Sequence, residues 1–160
     1  GVTGANRTGR PFTGDHAGLI LFNTLKKFGF SKGMYRENGY DDLELDNCSI
    51  TNAVRCVPPQ NLPNTIEIKN CETYLKSTIK SHKNLRIIIA LGLISHKSVI
   101  SSFKFKQKDF KFGHKNKHDL TNNITLIDSY HCSRYNTNTK RLTQEMFDNI
   151  FIETKKILMN

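Results

Sequence analysis

The sequence predicts an α/β fold, a three-layer α/β/α sandwich around a small, mainly parallel central sheet, and three observations carry that expectation. Leu85 to Leu93 (Leu-Arg-Ile-Ile-Ile-Ala-Leu-Gly-Leu) is short, apolar and β-branched, which suits a strand buried on both faces of a parallel sheet. Segments with apolar residues at helical spacing alternate with such runs. The 160 residues contain no linker, repeat or low-complexity tract, so residues 1–160 are expected to form one domain around one core.

In chain order, Leu21, Phe22, Leu25 and Phe28 recur at helical spacing after Asp15, and Gly29 stands where such a helix would end. After a loop around Gly33 to Asp42, Leu45, Ile50 and Val54 suggest a strand from Leu45 to Val54, closed by a loop that Pro58, Pro59 and Pro63 enforce. Ile66, Ile68, Cys71, Tyr74, Leu75 and Ile79 form a helical stripe from Thr65 to about Ser81. Beyond the Leu85 strand, Gly92 leads into a helix near Ser95 to Ser102. From Phe103 to His118, Phe103, Phe105, Phe110 and Phe112 interleave with Lys104, Lys106, Lys108 and Lys111. That pattern suits a nucleic-acid groove or an edge strand with one buried face, and the edge strand is the expectation. Thr125 to Tyr130 reads as the next strand, with Ser129 to Asn136 as the loop at its C-terminal end. The last helix runs from about Thr143 to Leu158, with Met146, Ile150, Phe151, Thr154, Ile157 and Leu158 on its apolar side and Thr143 and Glu145 at its start.

Lys and Arg number 24 against 14 Asp and Glu, a formal charge of +10, which points to nucleic acid or another polyanion unless it reflects a general Lys- and Asn-rich composition. No apolar run reaches membrane-spanning length and Gly1 opens no signal peptide, so an intracellular protein of the cytoplasm or nucleoid, monomeric and without a membrane partner, is expected. Cys48, Cys56, Cys71 and Cys132 then read as thiols or metal ligands rather than disulfides. At the N-terminus, Thr3 to Asp15 (Thr-Gly-Ala-Asn-Arg-Thr-Gly-Arg-Pro-Phe-Thr-Gly-Asp) combines three glycines with Arg7 and Arg10, and reads as an anion-binding loop feeding a helix or as a plain surface loop. It is not a nucleotide-hydrolase phosphate loop. Arg10 and Pro11 stand where that motif needs Lys and Ser or Thr.

Four pieces together resemble a known family: residues 4–15, Thr51-Asn-Ala-Val-Arg-Cys-Val-Pro-Pro-Gln-Asn61, Phe112-Gly-His114, and the run from Ser129 to Thr143. The chain resembles uracil-DNA glycosylases of the iron–sulfur branch, type B or family five, with the pieces in the family's order. The resemblance implies an enzyme that flips uracil, or another deaminated base such as hypoxanthine, out of DNA and hydrolyses its N-glycosidic bond to leave an abasic site. It implies catalytic roles for Asp15 at the sugar cation or attacking water and for His131 as donor to the base carbonyl. Asn61 would read the base edge and Phe12 would stack on its face. Ser133, Arg134 and Tyr135 would enter the minor groove, with Arg7 and Arg10 at phosphates. Each has a plain alternative: Asp15 as a helix cap, His131 as a loop histidine, Asn61 as a turn residue and Phe12 as core.

The resemblance further implies a structural [4Fe–4S] cluster, with Cys56 and Cys71 as two ligands and a Cys-x-x-Cys pair expected upstream of Gly1, so that a truncated chain is the expectation. Cys132 stands where the family has proline; losing that ring should free the loop, and the cysteine should face DNA. Cys48 and Cys132 are not expected to ligate the cluster. Two other readings compete. One is a non-catalytic module of the same fold that binds damaged or single-stranded DNA; the other is a zinc-stabilised domain.

Overall fold

A computed structural model describes residues 16–36, 38, 41–53 and 65–160, with side chains in the second helix described from residue 72 onward. The chain divides into two compact units, residues 1–52 with 132–148, and residues 53–131 with 149–160.

In the first unit, helix α1 (His16–Lys27) buries Leu21, Phe22 and Leu25 of the expected stripe together with Ala17, while Phe28 follows the helix and is half-buried. It ends as glycine chemistry requires. Gly29 has φ 82°, its N–H donates to the Lys26 carbonyl, and the Phe30 N–H reaches back to Leu25 at 2.8 Å. The strands β1 (Ser31–Lys32) and β2 (Glu44–Leu45) pair antiparallel. Between them, Asp41 accepts from the Arg36 and Leu43 amides and Asp42 from the Met34 amide, which fastens the connecting loop. The expected strand from Leu45 to Val54 is corrected to this two-residue ribbon: Asn47 turns left-handed at φ 56°, a conformation no strand contains. Val54 and Pro58, Pro59 and Pro63 lie outside the described residues.

The second unit holds a three-stranded sheet in the order β3-β5-β4, built from β3 (Ile87–Leu91), β4 (Lys117–Asp119) and β5 (Thr125–Ser129). Strands β3 and β5 run parallel, with Ala90 beside Asp128; β4 and β5 run antiparallel. The α/β class and small central sheet are therefore as expected, with one parallel and one antiparallel pairing among the described residues. Helix α2 (Thr65–Ser81) and helix α3 (Leu93–Ser102) contribute Leu75, Val99 and Ile100 to a core with Ala90 and Leu126.

The segment after α3 corrects the expected edge strand. Lys104 takes φ 61° and the Phe105 N–H donates to Ile100, closing the helix; a 3-10 turn (Gln107–Asp109) follows, and only β4 is extended. The alternation of the sequence nonetheless survives in burial. Phe103, Phe105 and Phe110 pack on the core and stack at 6.0 and 5.3 Å, while Lys104, Lys106 and Lys108 face solvent. A turn with Asn122 and Asn123 both left-handed, at 59° and 61°, joins β4 to β5.

Helix α4 (Arg134–Asn138) belongs to the first unit, and α5 (Gln144–Leu158) begins there and ends in the second. Thr143 caps α5, its Oγ1 accepting from the Met146 amide. At the other end, the Arg86 guanidinium donates to the carbonyls of Ile157, Leu158 and Asn160, the orphan acceptors of a helix C-terminus. The buried stripe of α5 is Phe147, Ile150, Phe151 and Thr154; Met146 is only half-buried and Leu158 is exposed. Phe147→Ala should therefore lower the unfolding free energy by about 3–5 kcal/mol, and Leu158→Ala by less than about 0.5 kcal/mol, read by urea denaturation.

Candidate functional site

In a sheet with parallel strands, ligands gather outside the strands' C-terminal ends. Here β3 ends at Leu91, and the N–H of the next residue, Gly92, donates to the Ser129 carbonyl at 2.8 Å and carries the parallel ladder one residue further. Gly92 has φ 100° and opens α3 without a side-chain cap. Half-buried His131 follows β5 on the same side: a Cβ placed on Gly92 would meet the His131 Cβ at 3.4 Å and its Cδ2 at 3.6 Å. The histidine thus packs at van der Waals distance from the helix start, and it is the positive φ that favours glycine at position 92.

Below His131, Tyr130 is fastened from the side. Its N–H donates to His114 Nδ1 at 3.0 Å, and the two rings lie 5.0 Å apart. His114 belongs to the Phe112-Gly-His114 motif, so the structure brings two of the matching pieces together, His114 under Tyr130 and His131 next along the chain. Phe112 adds an edge contact to the ring of His96 at 5.5 Å.

In the first unit, Ser133 is the N-cap of α4, its Oγ accepting from the Asn136 amide at 3.2 Å. Arg134 and Tyr135 open that helix and project into solvent; Tyr135 is 74% exposed. Cys132 does not face outward. It is fully buried, with its thiol donating to the Ala17 carbonyl at 3.6 Å, so the position expected to be freed by the missing proline is anchored on α1. Phe12, Asp15, Asn61, Arg7, Arg10 and Cys56 lie outside the described residues, as does the side chain of Cys71 in α2.

The donor set for a cluster is tested by the remaining cysteines. Cys48 donates to the Phe30 carbonyl at 3.4 Å, and burial pushes its thiol up, with the Asp46 charge adding to the rise and a backbone bond opposing it. Both thiols, of Cys48 and Cys132, therefore bond main-chain carbonyls of the first unit, and cluster ligation, which needs thiolates, would require each to give up that bond. Among the described residues the metal-ligating side chains that converge are His96, His118 and Asp128, a group without cysteine. Reasoning from sequence missed this group. A pocket of about 450 Å³ in the first unit, lined by Ile20, Leu142, Phe147 and Lys140 among others, brings no acid–base pair together.

A family model described as the uracil DNA glycosylase superfamily matches residues 1–155. The chain is 38% identical over 157 residues to a type-5 uracil-DNA glycosylase of Thermus thermophilus, covering 98% of this chain and 71% of that protein. It is 35% identical to type-5 uracil-DNA glycosylases of Pyrobaculum aerophilum and Mycobacterium bovis, covering 89% and 96% of this chain. The chain spans 61% and 58% of the length of those two relatives.

Two outcomes check this geometry. Gly92→Ala should cost about 1–2 kcal/mol, because a Cβ at that φ is strained, and should shift the His131 ring resonances in NMR spectra. Cys48 should react with iodoacetamide at pH 8 more slowly in the folded than in the urea-unfolded chain. Its raised value means that its contribution to stability is present at neutral pH and is lost as pH climbs through the folded-state value.

Proposed function

The chain belongs to the uracil DNA glycosylase superfamily, and from that membership we propose that the protein carrying it is a monofunctional DNA glycosylase. It flips uracil, and by extension hypoxanthine or another deaminated base, out of DNA and hydrolyses the N-glycosidic bond. The observation that supports this reading is the seat of His131, at the carboxyl end of the parallel strand pair and closed against Gly92. Residues 1–160 act as one glycosylase-like domain.

Cleavage moves the bonding electrons onto the departing base and leaves positive charge on the deoxyribose, so catalysis needs a donor at the base and an anion near the sugar. His131 donates to the base carbonyl where negative charge grows. Asp15 supports the sugar cation and orients the water that attacks C1′. Asn61 pairs with the edge of the flipped base and Phe12 stacks on its face. Arg134 and Tyr135, exposed at the start of α4, suit the minor groove and the gap left by the base, with Ser133 holding the turn before them. Arg7 and Arg10 contact phosphates. Exposed Lys104, Lys106, Lys108 and Lys111 add to the positive surface.

Cys56 and Cys71 are proposed as two ligands of a structural [4Fe–4S] cluster that braces the loop to Asn61, and no step of the reaction uses it. Among the described residues, no helix is long and apolar enough to cross a membrane. The protein works as a monomer in the compartment that holds the DNA.

The test is uracil release from a labelled oligonucleotide by protein expressed from its whole reading frame. Release should need no added metal or nucleotide, and His131→Ala and Asp15→Ala should each slow it by about a hundredfold or more. Wild-type rates in both variants would end the role assignment. Salt-sensitive binding with no abasic product would instead establish the non-catalytic module. Iron and acid-labile sulfide in the purified protein decide between a cluster and zinc.

A further inference from the structure

Asp128 lies in the central strand with no exposed surface, and three elements converge on its carboxylate. His96, from α3, places Nδ1 at 2.7 Å from Oδ1; His118, from β4, places Nε2 at 2.9 Å from Oδ2; and the Gly113 N–H points at Oδ2 from 3.4 Å. The far nitrogen of His96, Nε2, stands 2.7 Å from the Phe110 carbonyl. Both ring nitrogens of His96 thus lie within hydrogen-bond reach of an oxygen.

The three ligand atoms lie within 4.8 Å of one another, which raises the question of a metal. The two N···O separations are hydrogen-bond lengths, the Phe110 carbonyl takes the remaining His96 nitrogen, and a closed structural zinc site takes four ligands rather than three. The cluster is a hydrogen-bonded lock.

What it locks is the turn over 113–118. The main chain of Asp128 binds the same turn, accepting from the Lys115 N–H at 2.8 Å and donating to the Asn116 carbonyl at 2.9 Å. The turn is tight: Lys115 has φ 71°, and a Cβ on Gly113 would strike Asn116 Nδ2 at 2.6 Å. From inside this turn His114 accepts the Tyr130 N–H, one residue before His131.

We propose that His114 and Asp128 are positioning residues: Asp128, clamped between His96 and His118, fixes the turn, and His114 holds the Tyr130 amide so that His131 leaves β5 in one direction. The proposal rests on the reading of His131 as the donor to the base. An error of about 1 Å in the seat of such a donor costs on the order of a hundredfold in rate, whereas DNA affinity comes from phosphate contacts elsewhere.

The experiment is single-turnover uracil release by the whole protein with His114→Ala, His114→Asn, Asp128→Ala and Asp128→Asn. The alanine variants should slow release by about tenfold or more with DNA affinity within about twofold, since the loss falls on the transition state. The asparagine variants should recover most of it. Asn at 114 offers an oxygen where Nδ1 stands, and Asn at 128 can donate to one histidine and accept from the other. Alanine variants at the wild-type rate, or asparagine variants as slow as alanine, overturn the proposal. Where an alanine variant does not fold, hydrogen exchange of the Tyr130 amide decides: slow in the wild type and His114→Asn upholds the bond, and fast in the wild type overturns it. Zinc bound one to one, whose removal by EDTA abolishes activity while the protein stays folded, overturns the hydrogen-bonded lock. A His131→Ala variant with full activity would remove the donor reading and leave the exchange result standing, so the two failures are distinguishable.

Discussion

A carboxylate with no access to water must be hydrogen-bonded or cost the fold several kcal/mol, and Asp128 is such a carboxylate. Its place in β5, between β3 and β4, makes that requirement a constraint on the whole second unit. Helix α3 must bring a histidine to one oxygen and β4 a histidine to the other, and the Phe110 carbonyl must meet the outer face of His96. Beside it in the parallel ladder stands Ala90, with no more bulk than one methyl group. The apolar core of Leu75, Val99, Ile100 and Leu126 supplies the driving force; the polar lock selects which arrangement of α3, β4 and β5 that core adopts.

How far such a structure can be read from sequence depends on whether the signal is local. Helix α2 spans the expected range, Thr65–Ser81, with Leu75 buried and Tyr74 exposed, and β3 and β5 are legible because β-branched apolar runs suit buried strands. Strand β4 is Lys-His-Asp and carries no apolar alternation; its local mark is the Asn122–Asn123 pair, which tolerates the left-handed turn that joins it to β5. The Phe–Lys alternation after α3 was legible as burial and illegible as backbone. Period-two patterning can be produced by a helix cap, a 3-10 turn and stacked rings as well as by a strand, provided each phenyl finds the core. In α5 the expected stripe held at Ile150, Phe151 and Thr154 and erred at its ends, where Phe147 rather than Met146 is buried and Leu158 is exposed. Phe147, Ile150, Phe151 and Thr154 follow the i, i+3, i+4, i+7 rule more closely than any set containing Met146.

For the candidate site, the loop expected from Ser129 to Asn136 is corrected: His131 and Ser133 do follow β5 outside regular structure, but Arg134 and Tyr135 open helix α4, which Ser133 caps. The burial of Cys132 was illegible for a simple reason. A loop side chain next to His131 has no periodicity to say which way it points, and the Ala17 carbonyl, 115 positions away, decides the matter. The His96–Asp128–His118 lock fails to show for the same reason, since its members are separated by 32 and 10 positions and share no motif spacing.

The six histidines make the point sharply, because composition treats them alike. His16 bonds the Thr137 hydroxyl, His82 caps the carbonyl of Thr78, His96 and His118 share Asp128, and His114 receives the Tyr130 amide. These bonds are in line with the plain expectation that a histidine in a folded protein is a satisfied polar group. His131 differs by location: it stands where the parallel strands end, packed against Gly92 at the start of α3. His131 is set apart by where the backbone delivers it, beside a turn held by the bonds of three of the others, His96, His114 and His118.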